Sequence, residues 1–222
     1  MANTVEECDA MISTAIETET LLAVGHLQRY FDAYRMIKKM IEQKQLGRLC
    51  SITESRNIFY FNESRPKWFL NKESSGGGVV MNYGAHLLDK ILYTTGASVE
   101  KVCANYNNVL NDADVEAAAQ ILLRLSNGVS VSLSYSGCHS PYMEEVVFYF
   151  TEGVAKVSDG RRLWISQKGK PFELVELNYE KIALEEQLAE FLKFINGEES
   201  EMVTAAYGRE VIRVIEEVYK QV

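Results

Sequence analysis

"SGGGVVMNYGAHLLDK", Ser75–Lys90, places three consecutive glycines ahead of an apolar pair, an Asn and a His. Two chemistries begin this way. Glycines in front of a helix can cradle phosphate on free backbone N–H groups. A His one turn beyond a polar side chain can give and take a proton near neutral pH. Spacing removes the first. A Walker loop needs Gly-Lys-Ser/Thr after the glycines, and Val79-Val80 stand there instead. A dinucleotide fingerprint needs G-x-G-x-x-G between strand and helix, with an acidic residue about 20 positions on. Neither Gly76-Gly77-Gly78 nor any other segment fits it. The glycines are therefore read as positions of close backbone approach or positive φ. A helix starting near Asn82 would put Asn82 and His86 on one side, a turn apart. Asn82 can bind a hydroxyl or carbonyl but cannot titrate. On residue chemistry alone, a semi-buried structural His86 with Asn82 as helix N-cap is the simpler account, and a proton-transfer site is the other.

Outward from this stretch the patterns are clear. The helix should run from about Tyr83 to Thr95, with Leu87, Leu88, Ile91 and Leu92 as its apolar stripe, and His86, Asp89, Lys90 and Tyr93 on another face. Gly96 should end it. From Val99 to Leu177 the chain reads as strands joined by short turns at "SNG", "TEG", "SDG" and "KGK". "VSVSLSYS", Val129–Ser136, alternates strictly between Val/Val/Leu/Tyr and four Ser. One face enters the core; the small, weakly polar other face suits either close packing on a second sheet or solvent. Upstream, Thr4 and Glu7 form a capping box ahead of Cys8, Met11, Ile12, Ala15 and Ile16 at helical spacing. "LLAVG", Leu21–Gly25, reads as a strand buried on both faces, as in a parallel sheet. A helix over Phe31–Lys44 and a strand over Leu49–Phe61 follow. Two helices close the chain, with stripes Leu184, Leu188, Phe191, Leu192, Ile195 and Val211, Val214, Ile215, Val218. The expected fold is α+β: a mostly antiparallel, open-faced sheet of about six strands, helices on one face, preceded by a separate helix–strand unit.

Composition bounds the function. The 222 residues carry a formal charge of −8, which speaks against a nucleic-acid partner, since phosphate backbones call for clustered Lys and Arg. No apolar run reaches the roughly 18 residues of a membrane span. The first twenty residues hold four Glu and one Asp, unlike a signal or transit peptide. Cys8, Cys50, Cys103 and Cys138 are scattered without a C-x-x-C pair. Reduced thiols in a cytoplasmic protein are expected, with no disulfide framework and no metal site.

Four segments carry a family resemblance. They are "ANTVEECDAMISTA", "LLAVGHLQRYFDAYRMIKKMIEQKQLGRL", "GGGVVMNYGAHLLDKILYTTG" and "FLKFINGEESEMVTAAYGREVIRVIEEVY". Together they resemble the C-terminal part of Gfo/Idh/MocA-type NAD(P)-dependent oxidoreductases. The third matches the signature G-G-G-x-x-x-[DN]-x-G-x-H-x-x-D. The resemblance implies hydride transfer between NAD or NADP and a sugar, polyol or related hydroxy compound. It implies an N-terminal nucleotide-binding domain and a C-terminal domain that walls the substrate and forms a homodimer or homotetramer through its open sheet. His86 takes the acid/base position; Asn82, Arg29 and Tyr142, just before "MEEVVFYF", take substrate-facing ones, while Asp89 and Trp68 are structural. Asn82 stands where many members have Asp. Residues 1–27 correspond to the closing helix and strand of the nucleotide domain, and residues 28–222 to the substrate domain. The family's Glu-Lys-Pro motif would fall just before Met1, and the 222 residues contain neither it nor the glycine fingerprint. The expectation is that this chain alone binds no cofactor and is inactive. The alternative is a truncated, non-enzymatic paralogue that binds a ligand or assists assembly.

Overall fold

The computed structural model describes residues 1–109, 113–177 and 182–221. Helix α1, Val5–Glu17, starts at the expected capping box: the Glu7 N–H donates to Thr4 Oγ1 and the Thr4 N–H to Glu7 Oε2, both at 3.1 Å. The helix lies along the last one, α6 (Ala205–Tyr219), with Cys8 buried between them and Arg209 paired to Asp9. The strand expected over Leu21–Gly25 is shorter. Strand β1 covers only Ala23–Val24 and runs antiparallel to β10, Val203–Thr204, with no parallel neighbour among the described residues. An apolar run makes a strand only where a partner edge is available, and here the partner is a two-residue segment ahead of α6.

A 3-10 turn, Leu27–Tyr30, leads into α2, Asp32–Glu42, and then β2, Leu49–Asn57. Another 3-10 turn, Lys67–Leu70, and the short α3, Lys72–Ser75, bring the chain to the glycine run. A π-helical turn, Val80–Gly84, continues into α4, Ala85–Thr95, which ends at Gly96 with φ +62°. The meander follows: β3 (Val99–Asn107), β4 (Ala118–Leu125), β5 (Ser130–Ser136), β6 (Met143–Phe150), β7 (Gly153–Ser158), β8 (Arg162–Gln167) and β9 (Glu173–Leu174). Helix α5 spans Ala183–Ile195.

Among the described residues the main sheet has eight strands in the order β3-β4-β5-β2-β6-β7-β8-β9, where about six were expected. It is antiparallel except that β2 runs parallel to β5. The early strand β2 inserts between β5 and β6, a long-range pairing that no local pattern announces. Helices α2, α4 and α6 pack together, and their buried side chains join one core with the inner face of the sheet. Ile52, Leu87, Ile91 and Leu133 are fully enclosed there, each stabilising by about 1.5–3 kcal/mol. The β5 alternation holds: Val131, Leu133 and Tyr135 point inward, and Ser130, Ser132, Ser134 and Ser136 outward. The α5 stripe behaves differently. Leu184, Leu188, Leu192 and Ile195 are 62%, 55%, 53% and 48% exposed, because α5 turns its Gln187 and Glu190 side toward the 3-10 turn after β1.

Candidate functional site

Strand β2 reads Ser51-Ile52-Thr53-Glu54-Ser55-Arg56-Asn57. Alternation puts the hydroxyl residues on the outer face and Ile52, Glu54 and Arg56 on the inner one. Two charges therefore enter the core beneath α4. On β6, Glu144 pairs in register with Arg56 and faces the same way. Helix α4 answers with Lys90, fully buried, whose Nζ donates to Glu144 Oε1 at 2.6 Å and Glu54 Oε1 at 3.2 Å. The Arg56 guanidinium lies 3.9 Å from Glu144 Oε2 and 4.3 Å from the Tyr83 ring centroid. Two carboxylates thus meet two cations. Burial works against the Lys90 ammonium, but Glu54 and Glu144 outweigh it and hold it charged above its usual range. Burial pushes Glu54 up to about 7, whereas at Glu144 it is overcome by Lys90 and Arg56, and that carboxyl stays low.

His86 sits one turn before Lys90 on α4. Its ring meets His26 edge-on at 6.1 Å, and the Nδ1 atoms of both histidines are buried without a hydrogen-bond partner. Burial first, then the neighbouring His26, Arg56 and Lys90, lowers the His86 pKa to about 4. Burial and Arg29 lower His26 likewise, to about 4. Both rings are neutral at pH 7. Tyr142 is half-exposed and donates its hydroxyl to Glu144 Oε2. A chain of contacts therefore joins Tyr142 through Glu144 to Arg56 and Lys90, beside His86.

Asn82 lies inside the π-turn, not at a helix cap, and its side-chain amide donates to Tyr60 Oη at 3.3 Å. The helical winding begins earlier than Asn82 because a carboxylate caps it. Glu116 accepts from the N–H groups of Gly78 (2.9 Å) and Val80 (2.8 Å) and from the Tyr219 hydroxyl (2.9 Å). The glycine run does cradle an oxyanion, and the oxyanion is the protein's own. A Cβ on Gly78 would collide with the Glu116 backbone carbonyl, so this glycine is required by close approach.

Arg29, expected near the substrate, is only 7% exposed. Its Nε and Nη2 donate to Asp89, and the guanidinium lies between the rings of Tyr93 and Tyr207 at 5.0 and 4.8 Å. Asp89 has the structural place expected of it, anchoring α4 to the 3-10 turn after β1. Trp68 stacks on Phe69 with half its surface open. Sequence reasoning missed Glu54, Arg56, Glu144, His26 and Tyr60. The available signal was the hydroxyl alternation in β2: with Ser51, Thr53 and Ser55 outward, Glu54 and Arg56 had to point inward with Ile52. Among the described residues no group of three or more His, Cys, Asp or Glu could hold a metal, and all four cysteines are free. No helix of the described residues is long and apolar enough to cross a membrane.

The family profile described as the GFO/IDH/MocA C-terminal domain matches residues 34–156, more than half of the chain. The chain belongs to the GFO/IDH/MocA family. Among curated relatives, a 1-carboxy-3-chloro-3,4-dihydroxycyclohexa-1,5-diene dehydrogenase of Comamonas testosteroni is 27% identical over 164 residues, 74% of this chain and 41% of its own. An NADP-dependent scyllo-inositol 2-dehydrogenase of Bacillus subtilis is 28% identical over 141 residues, 64% of this chain and 38% of its own. The chain thus spans about two fifths of the length of these relatives. The solved aldose-aldose oxidoreductase of Caulobacter crescentus superposes with a TM-score of 0.88 at 22% identity, over 100% of this chain and 67% of the other. The matched GFO/IDH/MocA segment runs from α2 through β7. It therefore contains His86, Lys90 and the whole Glu54–Arg56–Glu144 cluster.

Proposed function

We propose that this chain is the substrate-binding and oligomer-forming portion of an NAD(P)-dependent oxidoreductase acting on a sugar, polyol or related hydroxy compound. The observation that carries the reading is His86: a neutral, partly open imidazole fixed on α4 one turn from the buried Lys90–Glu54–Glu144–Arg56 cluster. A neutral imidazole can accept the proton of a substrate hydroxyl as that carbon is oxidised, and return it in the reverse direction. Asn82 binds a second substrate oxygen through its amide. Tyr142 presents a hydroxyl whose proton is directed at Glu144 and whose oxygen lone pairs are free to accept from the substrate. Arg29 acts at one remove, holding Asp89 and hence the turn of α4 that bears His86.

When bound, the nicotinamide takes or gives the hydride. The neutral, partly open His86 ring fits the proton side of such a site, while the sequence has no G-x-G-x-x-G turn to hold the pyrophosphate. We assign that task to a nucleotide-binding domain of which residues 1–27 form the closing helix and strand. The outward apolar side chains Met11, Ile16 and Leu21 support a covering partner there. The main sheet supports self-association through its open face. Ser51, Thr53 and Ser55 of β2 continue the serines of β5, and small side chains let a second sheet approach closely around exposed Leu122 and Tyr149. The free thiols and acidic composition support a cytoplasmic setting.

The test is turnover of a panel of sugars and polyols with NAD and NADP by the protein that carries this chain, followed by nicotinamide absorbance. His86→Ala should lower kcat/KM by about 10²–10⁴-fold. Unchanged turnover in that variant would overturn the role of His86. Ligand binding with no turnover of any alcohol would favour the non-enzymatic module. In a separate titration, residues 1–222 alone should show no saturable NAD(H) binding.

A further inference from the structure

A cavity of about 550 Å³ lies between the end of β2, the end of β5 and the loop before α3, and His86 is not among its described lining residues. Its size falls within the roughly 300–1,000 Å³ of small-molecule sites. The aromatic rings of Phe59 and Phe61 line it, together with Arg65, Lys67, Cys138 and His139. The His139 ring lies against Phe59 at 4.2 Å. Arg65 is preset: its Nε donates to the Tyr60 carbonyl, and its guanidinium lies over the Tyr60 and Phe69 rings at 3.6 and 4.8 Å. The Tyr60 and Tyr83 hydroxyls also face this guanidinium, whose five N–H donors outnumber these partners and leave donors for a ligand. Among the described residues neither Arg65 nor Lys67 meets a carboxylate at ion-pair distance. Among the described lining residues Glu63 is the one acidic side chain, beside the two cations Arg65 and Lys67. Cations without a carboxylate partner attract anions locally, and a guanidinium held in place 3.6 Å from the Tyr60 ring centroid is suited to contact with a carboxylate or phosphate.

We propose that this cavity binds a ring-bearing organic oxyanion, a sugar acid or a sugar phosphate. Arg65 and Lys67 take the anionic group, and Phe59 and Phe61 take the apolar face of the ring. Tyr60 is shared with the site described above, since its hydroxyl accepts from Asn82 while its ring carries Arg65. The proposal goes beyond the oxidoreductase reading and does not depend on it, because binding is read on the chain itself without nicotinamide.

The experiment is calorimetric titration of the protein with D-glucuronate, D-glucose 1-phosphate and D-glucose, with alkylation of Cys138 followed by peptide mass spectrometry. At least one anion should bind at least tenfold more tightly than glucose, and the tighter of the two identifies carboxylate or phosphate as the group recognised. The bound anion should slow alkylation of Cys138 and leave that of exposed Cys50 unchanged. Lys67→Ala, whose side chain makes no hydrogen bond or ion pair among the described residues, should weaken anion binding at least fivefold with an unchanged circular dichroism spectrum. Arg65→Ala should weaken it further. Equal binding of glucose and the anions, no saturable binding of either anion, unprotected Cys138, or wild-type affinity in Lys67→Ala would each overturn the proposal. Any of these would leave the assignment of His86 untouched.

Discussion

Single residues decide the chemistry of the α4 face. His26 and His86 each have a pKa of about 4 in the fold, below the ordinary 6.5, because burial penalises the imidazolium. Between those values the unfolded chain binds more protons, so their contribution is complete above pH 6.5 and is lost as pH falls toward 4. Glu54, raised to about 7, works in the opposite sense over part of that range. The informative quantity is therefore the difference from a variant. Urea unfolding of wild type and His86→Asn should show a stability difference that shifts by on the order of 2 kcal/mol against wild type between pH 7 and pH 4.5. A pH-independent difference would contradict the burial of a neutral ring. Gly78 provides a second test. Gly78→Ala drives a methyl into the Glu116 carbonyl, and should cost about 2 kcal/mol or more, as overpacking does. At Gly128, where φ is +84° and the surroundings are open, the same change should cost about 1–2 kcal/mol from backbone strain alone.

At the scale of elements, α4 is held to the sheet by charge as well as by its apolar stripe. Lys90→Met removes the cation shared by Glu54 and Glu144 and should destabilise by about 3–5 kcal/mol, the cost of an uncompensated buried charge. Glu54→Gln should cost less, because burial raises that carboxyl to about 7 and leaves it only partly ionised at pH 7. Thermal melts of the two variants at pH 7 compare them directly. Helix α5 offers the contrast. Its Leu188 is exposed and Ile91 on α4 is fully buried. Leu188→Gln should leave the stability of the chain within about 0.5 kcal/mol, whereas Ile91→Ala should cost about 2–5 kcal/mol. Both stripes have the same helical spacing in the sequence. Only one of them finds a partner within these residues.

For the whole molecule, assembly through the open sheet predicts a dimer or larger species in sedimentation at micromolar concentration. Leu122→Arg, on that face, should shift it toward monomer without changing the circular dichroism spectrum; a monomeric wild type would remove the assembly proposal. The sequence by itself determined much of this protein. Local periodicity located α2, α4, α5, α6 and the run of strands over residues 99–177, though not β10, because side-chain alternation and helical stripes are written within a few residues. The Thr4–Glu7 capping box and Gly96 were legible for the same reason: each acts on its own neighbours. The glycine–His stretch, taken with the closing helices, was enough to place the chain in its family. Tertiary structure alone decided the rest. The insertion of β2 between β5 and β6 depends on pairing across roughly 80–100 residues, and it carries Glu54 and Arg56 under α4. The carboxylate in the glycine cradle comes from Glu116, 38 positions beyond Gly78. The apolar run at Leu21–Gly25 shortened to a two-residue strand because the edge it meets is no longer. Sequence patterns report what each segment can bury. Which charges are buried together, and which faces stay open, depends on contacts between segments far apart in the chain.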